Sequence, residues 1–71
     1  MDPDTNIAAQ RDLIARLRAD PGDQDARIEL AELLDAFIDW LAGGGFQPTT
    51  PDWLNITQQA AALLATSEGV T

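Results

Sequence analysis

Between Asp23 and Gly43, large apolar side chains recur at spacings of three and four: Leu30, Leu33, Leu34, Phe37, Ile38 and Leu41. A helix with 3.6 residues per turn gathers such a set onto one side, so the segment predicts an amphipathic helix whose broad apolar stripe faces a core. Asp23 is placed to cap its start, and Gly43 to end it in a left-handed conformation. About 20 residues rising 1.5 Å each give a helix of about 30 Å, the expected backbone of the domain.

Two weaker patterns flank it. From about Thr5 to Ala19, Ile7, Leu13, Ile14 and Leu17 fall on one side of a helix that Asp4 or Thr5 would cap. Asp20-Pro21-Gly22 stops it, because proline cannot continue the hydrogen-bond ladder. Arg11 and Arg18 flank that stripe on one edge and Arg16 on the other. Asp12, four residues before Arg16, is placed for a pair worth about 0.2–0.5 kcal/mol. A third helix is expected to open at Thr50-Pro51, with Asp52 favouring the dipole of its first turn. Trp53, Ile56, Ala60, Leu63 and Leu64 line its core face, and Gly69 ends the pattern. The alternative start lies near Asn55 or Thr57, with Pro51-Asp52-Trp53 a separate short turn. No strand-like alternation of useful length occurs. The fold class read from the chain is all-α: a compact three-helix bundle, with helices at about 5–19, 23–42 and 51–67 in a single domain over residues 1–71.

Composition then excludes whole classes of function. A chain of 71 residues buries only about 60% of its unfolded surface and is marginal alone. Cysteine and histidine are both absent, which removes disulfides, thiolate metal sites and the commonest general base. Ser67 is the single serine and has no histidine to activate it. Acid–base work by paired carboxylates needs a dry cleft to raise one pKa, and a bundle this small has little room for one. The segment Asp20-Pro21-Gly22-Asp23-Gln24-Asp25 is calcium-like in composition but lacks the central glycine and the closing glutamate of an EF-hand loop. No catalytic residues, metal or cofactor are therefore expected. The net charge of −8 argues against direct binding to nucleic acid or an anionic membrane. The first ten residues have neither the basic nor the apolar region of a signal peptide, and no run approaches the ~18 apolar residues of a membrane span. A soluble cytoplasmic protein is the expectation.

The stretch joining the second and third helices concentrates unusual residues. Gly43, Gly44 and Gly45 precede Phe46, and Pro48 and Pro51 stiffen the way out. The rings of Trp40, Phe46 and Trp53 are expected to pack together and plug the end of the bundle. The competing reading is a binding loop with an aromatic anchor. A phosphate cradle is excluded, because no strand precedes the glycines, no Gly-Lys-Ser/Thr follows and no cation is near.

Charge is distributed unevenly. Residues 1–45 hold ten acids and four arginines, whereas residues 46–71 hold only Asp52 and Glu68. On the second helix Asp25, Glu29, Glu32, Asp35 and Asp39 occupy an arc of about 120° opposite the leucine stripe. That strip is either a solvated face or a docking strip for a basic protein partner. The third helix carries no charge from Trp53 to Ser67. Leu54, Ala61 and Ala65, flanked by Gln58, make a second ridge whose small residues would let another helix approach, which points to a homodimer.

Two stretches resemble known elements. Residues 17–37, LRADPGDQDARIELAELLDAF, resemble the junction of a tetratricopeptide repeat. With no second copy at a period of 34, the likeness extends to the turn alone. Residues 39–53, DWLAGGGFQPTTPDW, are similar to an element of small open reading frames in actinobacteria and their phages. That resemblance implies a phage or host accessory protein acting by binding another protein. The expected function is thus a small acidic helical interaction module. The alternative is an acidic mimic of nucleic acid that occupies a basic groove on a DNA- or RNA-binding protein.

Overall fold

The computed structural model describes residues 1–66 and forms an all-α three-helix bundle, with α1 over Pro3–Ala19, α2 over Gln24–Ala42 and α3 over Trp53–Thr66. Ser67, Gly69 and the expected end of the third helix at residue 67 lie outside the described residues. The bundle measures 38 × 19 × 19 Å. Helix α2 runs back along α1, since Asn6 reaches Leu33 near one end and Arg16 reaches Asp23 at the other. Helix α3 follows the direction of α1, as the pairs Asp4–Thr50, Gln10–Thr57 and Arg18–Gln59 show.

Helix α1 begins two residues earlier than expected. Asp2, not Asp4 or Thr5, is the N-cap: its carboxylate accepts the Asp4 N–H at 3.1 Å and the Thr5 hydroxyl at 2.8 Å. Pro3 takes the first helical position, where its missing N–H costs nothing and its fixed φ suits the helix. At the other end Asp20 makes a tight local turn, accepting the Gly22 N–H on its side chain at 3.1 Å and the Asp23 N–H on its carbonyl at 3.1 Å. Asp23 caps α2 as expected, accepting the Ala26 N–H at 3.0 Å.

The end of α2 corrects a second expectation. Gly43 has φ −83°, and the left-handed residue is Gly44, at φ +91°. Gly44 N–H donates to Leu41 O at 3.1 Å and Gly45 N–H to Trp40 O at 2.8 Å. These two bonds make a Schellman motif, which moves the left-handed position one residue beyond the helix cap. Pro51 and Asp52 form a turn ahead of α3, whose first residue is Trp53. The start thus falls between the two expected sites. Trp53 N–H bonds back to Thr50 O, and Asp52 O accepts the Ile56 N–H at 3.0 Å.

The core combines Ile7, Leu13, Ile14 and Leu17 of α1 with Ala26, Leu30, Leu34 and Phe37 of α2 and Ile56 and Ala60 of α3. Leu33, Leu41, Trp53, Leu63 and Leu64 pack against it, partly buried. Ile38 was expected inside and is 57% exposed. It lies about 100° round the helix from Phe37, beyond the sector that two neighbouring helices can cover.

Two polar residues are buried among these apolar ones. Thr57 of α3 donates to Gln10 Oε1 at 3.1 Å, Gln10 Nε2 donates to Asn6 Oδ1 at 2.7 Å, and Asn6 Nδ2 donates to Leu33 O at 3.1 Å. The chain of bonds crosses all three helices. Among the described residues no buried side-chain nitrogen or oxygen lacks a partner. A satisfied network of this kind resists sliding or rotation of one helix against another, because any slip strands a buried amide.

Candidate protein-interaction site

The loop after α2 is anchored by long-range contacts. Asp4, in the first turn of α1, accepts four hydrogen bonds from the loop. The Thr49 N–H and hydroxyl donate at 2.9 and 2.8 Å, and the Thr50 N–H and hydroxyl at 2.9 and 2.7 Å. The Thr50 hydroxyl, then the Thr49 hydroxyl and the Thr50 N–H, hold the Asp4 carboxyl below its ordinary range. At the opposite connection, the Ala26 N–H and then Arg16 hold Asp23 low as well.

The three aromatic residues expected at one corner do not form a single cluster. Trp40 meets Phe46 edge to face, with ring centroids 5.4 Å apart at 83°, and its indole N–H donates to Phe46 O at 2.9 Å. Trp53 turns inward to Phe37, at 5.6 Å and 71°. The Schellman turn is the reason: it folds residues 45 and 46 back over the last turn of α2 and sets Phe46 against Trp40. A Cβ at Gly45 would lie 2.3 Å from the Trp40 ring, so that position accepts only glycine without a shift. Phe46 remains 64% exposed.

All five acids of the strip, Asp25, Glu29, Glu32, Asp35 and Asp39, are exposed. They splay along α2, and among the described residues no group of three or more converges closely enough to hold a metal ion. Ile28 sits inside the strip, three residues after Asp25 and four before Glu32, and is 56% exposed. The strip also extends sideways. Glu29 and Glu32 line a groove of about 410 Å³ between α1 and α2, together with Asp12 and Arg16 and over the apolar Leu13, Leu33 and Ala9. Asp12 was expected to pair with Arg16. Among the described residues the one ion pair is instead Arg16–Asp23, at 3.2 Å. The capping bond fixes Asp23 within reach of Arg16 and leaves Asp12 on the groove.

On α3 the expected self-association ridge lies on the surface: Leu54, Gln58, Ala61 and Ala65 are all exposed. Sequence reasoning gave Asp4 and Asp12 other roles, a helix cap and a partner for Arg16, and missed Asn6 and Gln10. A signal existed for both, since Asn6 and Gln10 stand at helical spacing from Leu13 and Leu17 on the apolar side. No helix of the described residues is long and apolar enough to cross a membrane. No protein-family model, curated protein or solved structure matches the chain.

Proposed function

We propose that this chain is a protein-interaction module without catalytic activity, which binds a basic segment of another protein along the outer face of α2. The observation that carries this reading is the composition of the α1–α2 groove. Carboxylates from both helices, Asp12, Glu29 and Glu32, rim an apolar floor of Leu13, Leu33 and Ala9, and the one cation on the lining, Arg16, is engaged by Asp23. A lysine or arginine suits such a slot, with its aliphatic stem on the floor and its charge at the rim. Ile28 offers apolar contact within the strip, and the acids supply steering. The likeness of residues 39–53 to elements of actinobacterial and phage reading frames favours an accessory role for such a module. Self-association as a homodimer through Leu54, Gln58, Ala61 and Ala65 is a separate part of the proposal.

A helical peptide of leucine and lysine, titrated calorimetrically, tests the groove. Replacing Glu29, Glu32 and Asp39 together by glutamine is expected to weaken binding by ~10-fold or more while preserving the fold. Equal affinity for wild type and variant overturns the assignment. The linear array of carboxylates on α2 also supports the nucleic-acid mimic. A mimic's complex loses affinity steeply between ~0.05 and ~0.5 M salt, whereas a complex anchored by apolar contact at Ile28 and the groove floor loses far less.

A further inference from the structure

The groove between α1 and α3 has a character opposite to that of the α2 face. It holds about 360 Å³ and takes two of the chain's four arginines, Arg11 and Arg18, with Asn55 and Gln59 facing them from α3. Its floor is apolar, built from the buried Ile14 and Ile56. Arg18 donates to Gln59 Oε1 at 2.7 Å, and Gln59 Nε2 donates to Asn55 Oδ1 at 3.3 Å. Those two bonds engage the acceptor oxygens of both amides. Of these three side chains, the groups left to bind a ligand are mainly donors, the Asn55 amide N–H groups and the other guanidinium N–H groups of Arg18, while the Asp52 carboxylate stands on the rim as an acceptor. The Arg11 side chain makes no hydrogen bond or ion pair among the described residues, in a chain with twelve acids.

We propose that this groove is a second docking site, which takes an acidic helical segment of a partner protein through two carboxylates seven residues apart. Arg11 and Arg18 are themselves seven apart on α1, about 10.5 Å along the axis and within about 20° in rotation. The bond to Gln59 ties the Arg18 guanidinium to α3, and the two-turn separation of the arginine backbones favours two anionic groups over one compact anion. Carboxylates two turns apart on a helix lying along α1 match the pair, each accepting a forked contact from one guanidinium. The surface between two packed helices is itself shaped to receive the ridge of a further helix. Nucleic acid is disfavoured, because two cations neutralise few phosphates against a net charge of −8. Asp52 on the rim further favours singly charged carboxylates over dianionic phosphate groups. The site shares no residue with the α2 strip, so it stands or fails independently of the function proposed above.

The probes are two alanine-based helical peptides of identical composition, one with glutamates seven residues apart and one with glutamates five apart. Binding is followed by the arginine Nε–H resonances of the isotope-labelled full chain. The seven-spaced peptide is expected to shift Arg11 and Arg18 and leave Arg27 in place. It should bind ~10-fold more tightly than the five-spaced peptide, and Arg11→Gln should remove that advantage. Glu29→Gln with Glu32→Gln should leave the binding unchanged. No shift at ~1 mM peptide, a level that detects even millimolar affinity, overturns the site. Equal binding of the two peptides overturns the helical register. Glutarate binding as tightly as the seven-spaced peptide also overturns the proposal, in favour of a small-molecule carboxylate site.

Discussion

The two connections of this bundle are built on different principles. The turn at residues 20–23 is held by bonds between near neighbours: Asp20 to Gly22 and Asp23, and Asp23 to Ala26. The loop at residues 43–52 begins with an equally local Schellman motif but is then fixed from afar. Its Thr49 and Thr50 hang on Asp4, which precedes them by 45 and 46 residues. Short-range turns persist when the rest of the chain is loosened. A loop held by one distant carboxylate depends on the packing that brings that carboxylate to it, and so reports on the integrity of the bundle.

The core beneath both connections sets the largest expected effect. Phe37 is 1% exposed and supports Trp53 at the start of α3. Phe37→Ala should cost about 3–5 kcal/mol and Leu34→Ala about 2–5 kcal/mol, enough to unfold a domain of this size. Melts of both variants that match wild type would show that the wrong face is buried.

Glycine substitutions separate the connections directly. Gly45→Ala places a methyl group 2.3 Å from the Trp40 ring and should cost about 1–3 kcal/mol through overpacking. At Gly22 the nearest atom to an added Cβ is Asp20 Oδ1 at 3.6 Å, and φ is not positive. Gly22→Ala should therefore be neutral or stabilise by up to about 1 kcal/mol through the unfolded chain. Chemical denaturation of the two variants in parallel reads the difference.

Acid provides the next comparison. Asp4 and Asp23 both titrate below the ordinary carboxylate range in the folded state. Each therefore contributes stability that is complete above the unfolded pKa of about 4 and fades as pH falls through the lower folded value. Asp4→Asn should remove the part of this acid sensitivity that belongs to the loop. It should also speed hydrogen exchange at the Thr49 and Thr50 amides while leaving Gly22 and Ala26 unaffected. Asp23→Ala should instead speed exchange at the Ala26 amide that Asp23 caps and leave Thr49 and Thr50 unaffected. Equal exchange at both connections in either variant would erase the distinction.

The smallest effects concern surfaces that face neither connection. Glu29→Gln, Glu32→Gln and Asp39→Gln together should stabilise the fold by a few tenths of a kcal/mol as like-charge repulsion is relieved, about the size known for helix neighbours. Ala61→Glu should leave helicity unchanged by circular dichroism and convert a wild-type dimer to monomer in sedimentation at ~100 μM. A wild-type monomer at that concentration removes the α3 ridge from consideration.

The helical stripes were legible because their cause is local. Leu30, Leu34 and Phe37 fall on one face by the pitch of their own helix, whatever stands opposite. Asp23 was legible for the same reason, since a cap serves donors two or three residues away. Asp2 was overlooked although its signal, a carboxylate just before proline, was also local. Ile38 shows where pattern reading overreaches: spacing defines a stripe, while the number and placement of neighbouring helices define how much of it is covered.

The chain's periodicity, breakers and charge thus determined three helices, their apolar faces and an acidic outer surface, all properties of residues within a few positions of one another. Tertiary structure decided that Trp53 would choose Phe37 while Trp40 took Phe46. It also decided that Arg16 would pair with Asp23, that Asp4 would hold Thr49 and Thr50, and that Thr57, Gln10 and Asn6 would bond in series through the core. Each of those choices depends on the rotation and offset of one helix against another. Such angles are set by the simultaneous packing of every core side chain, so no single segment of sequence contains them.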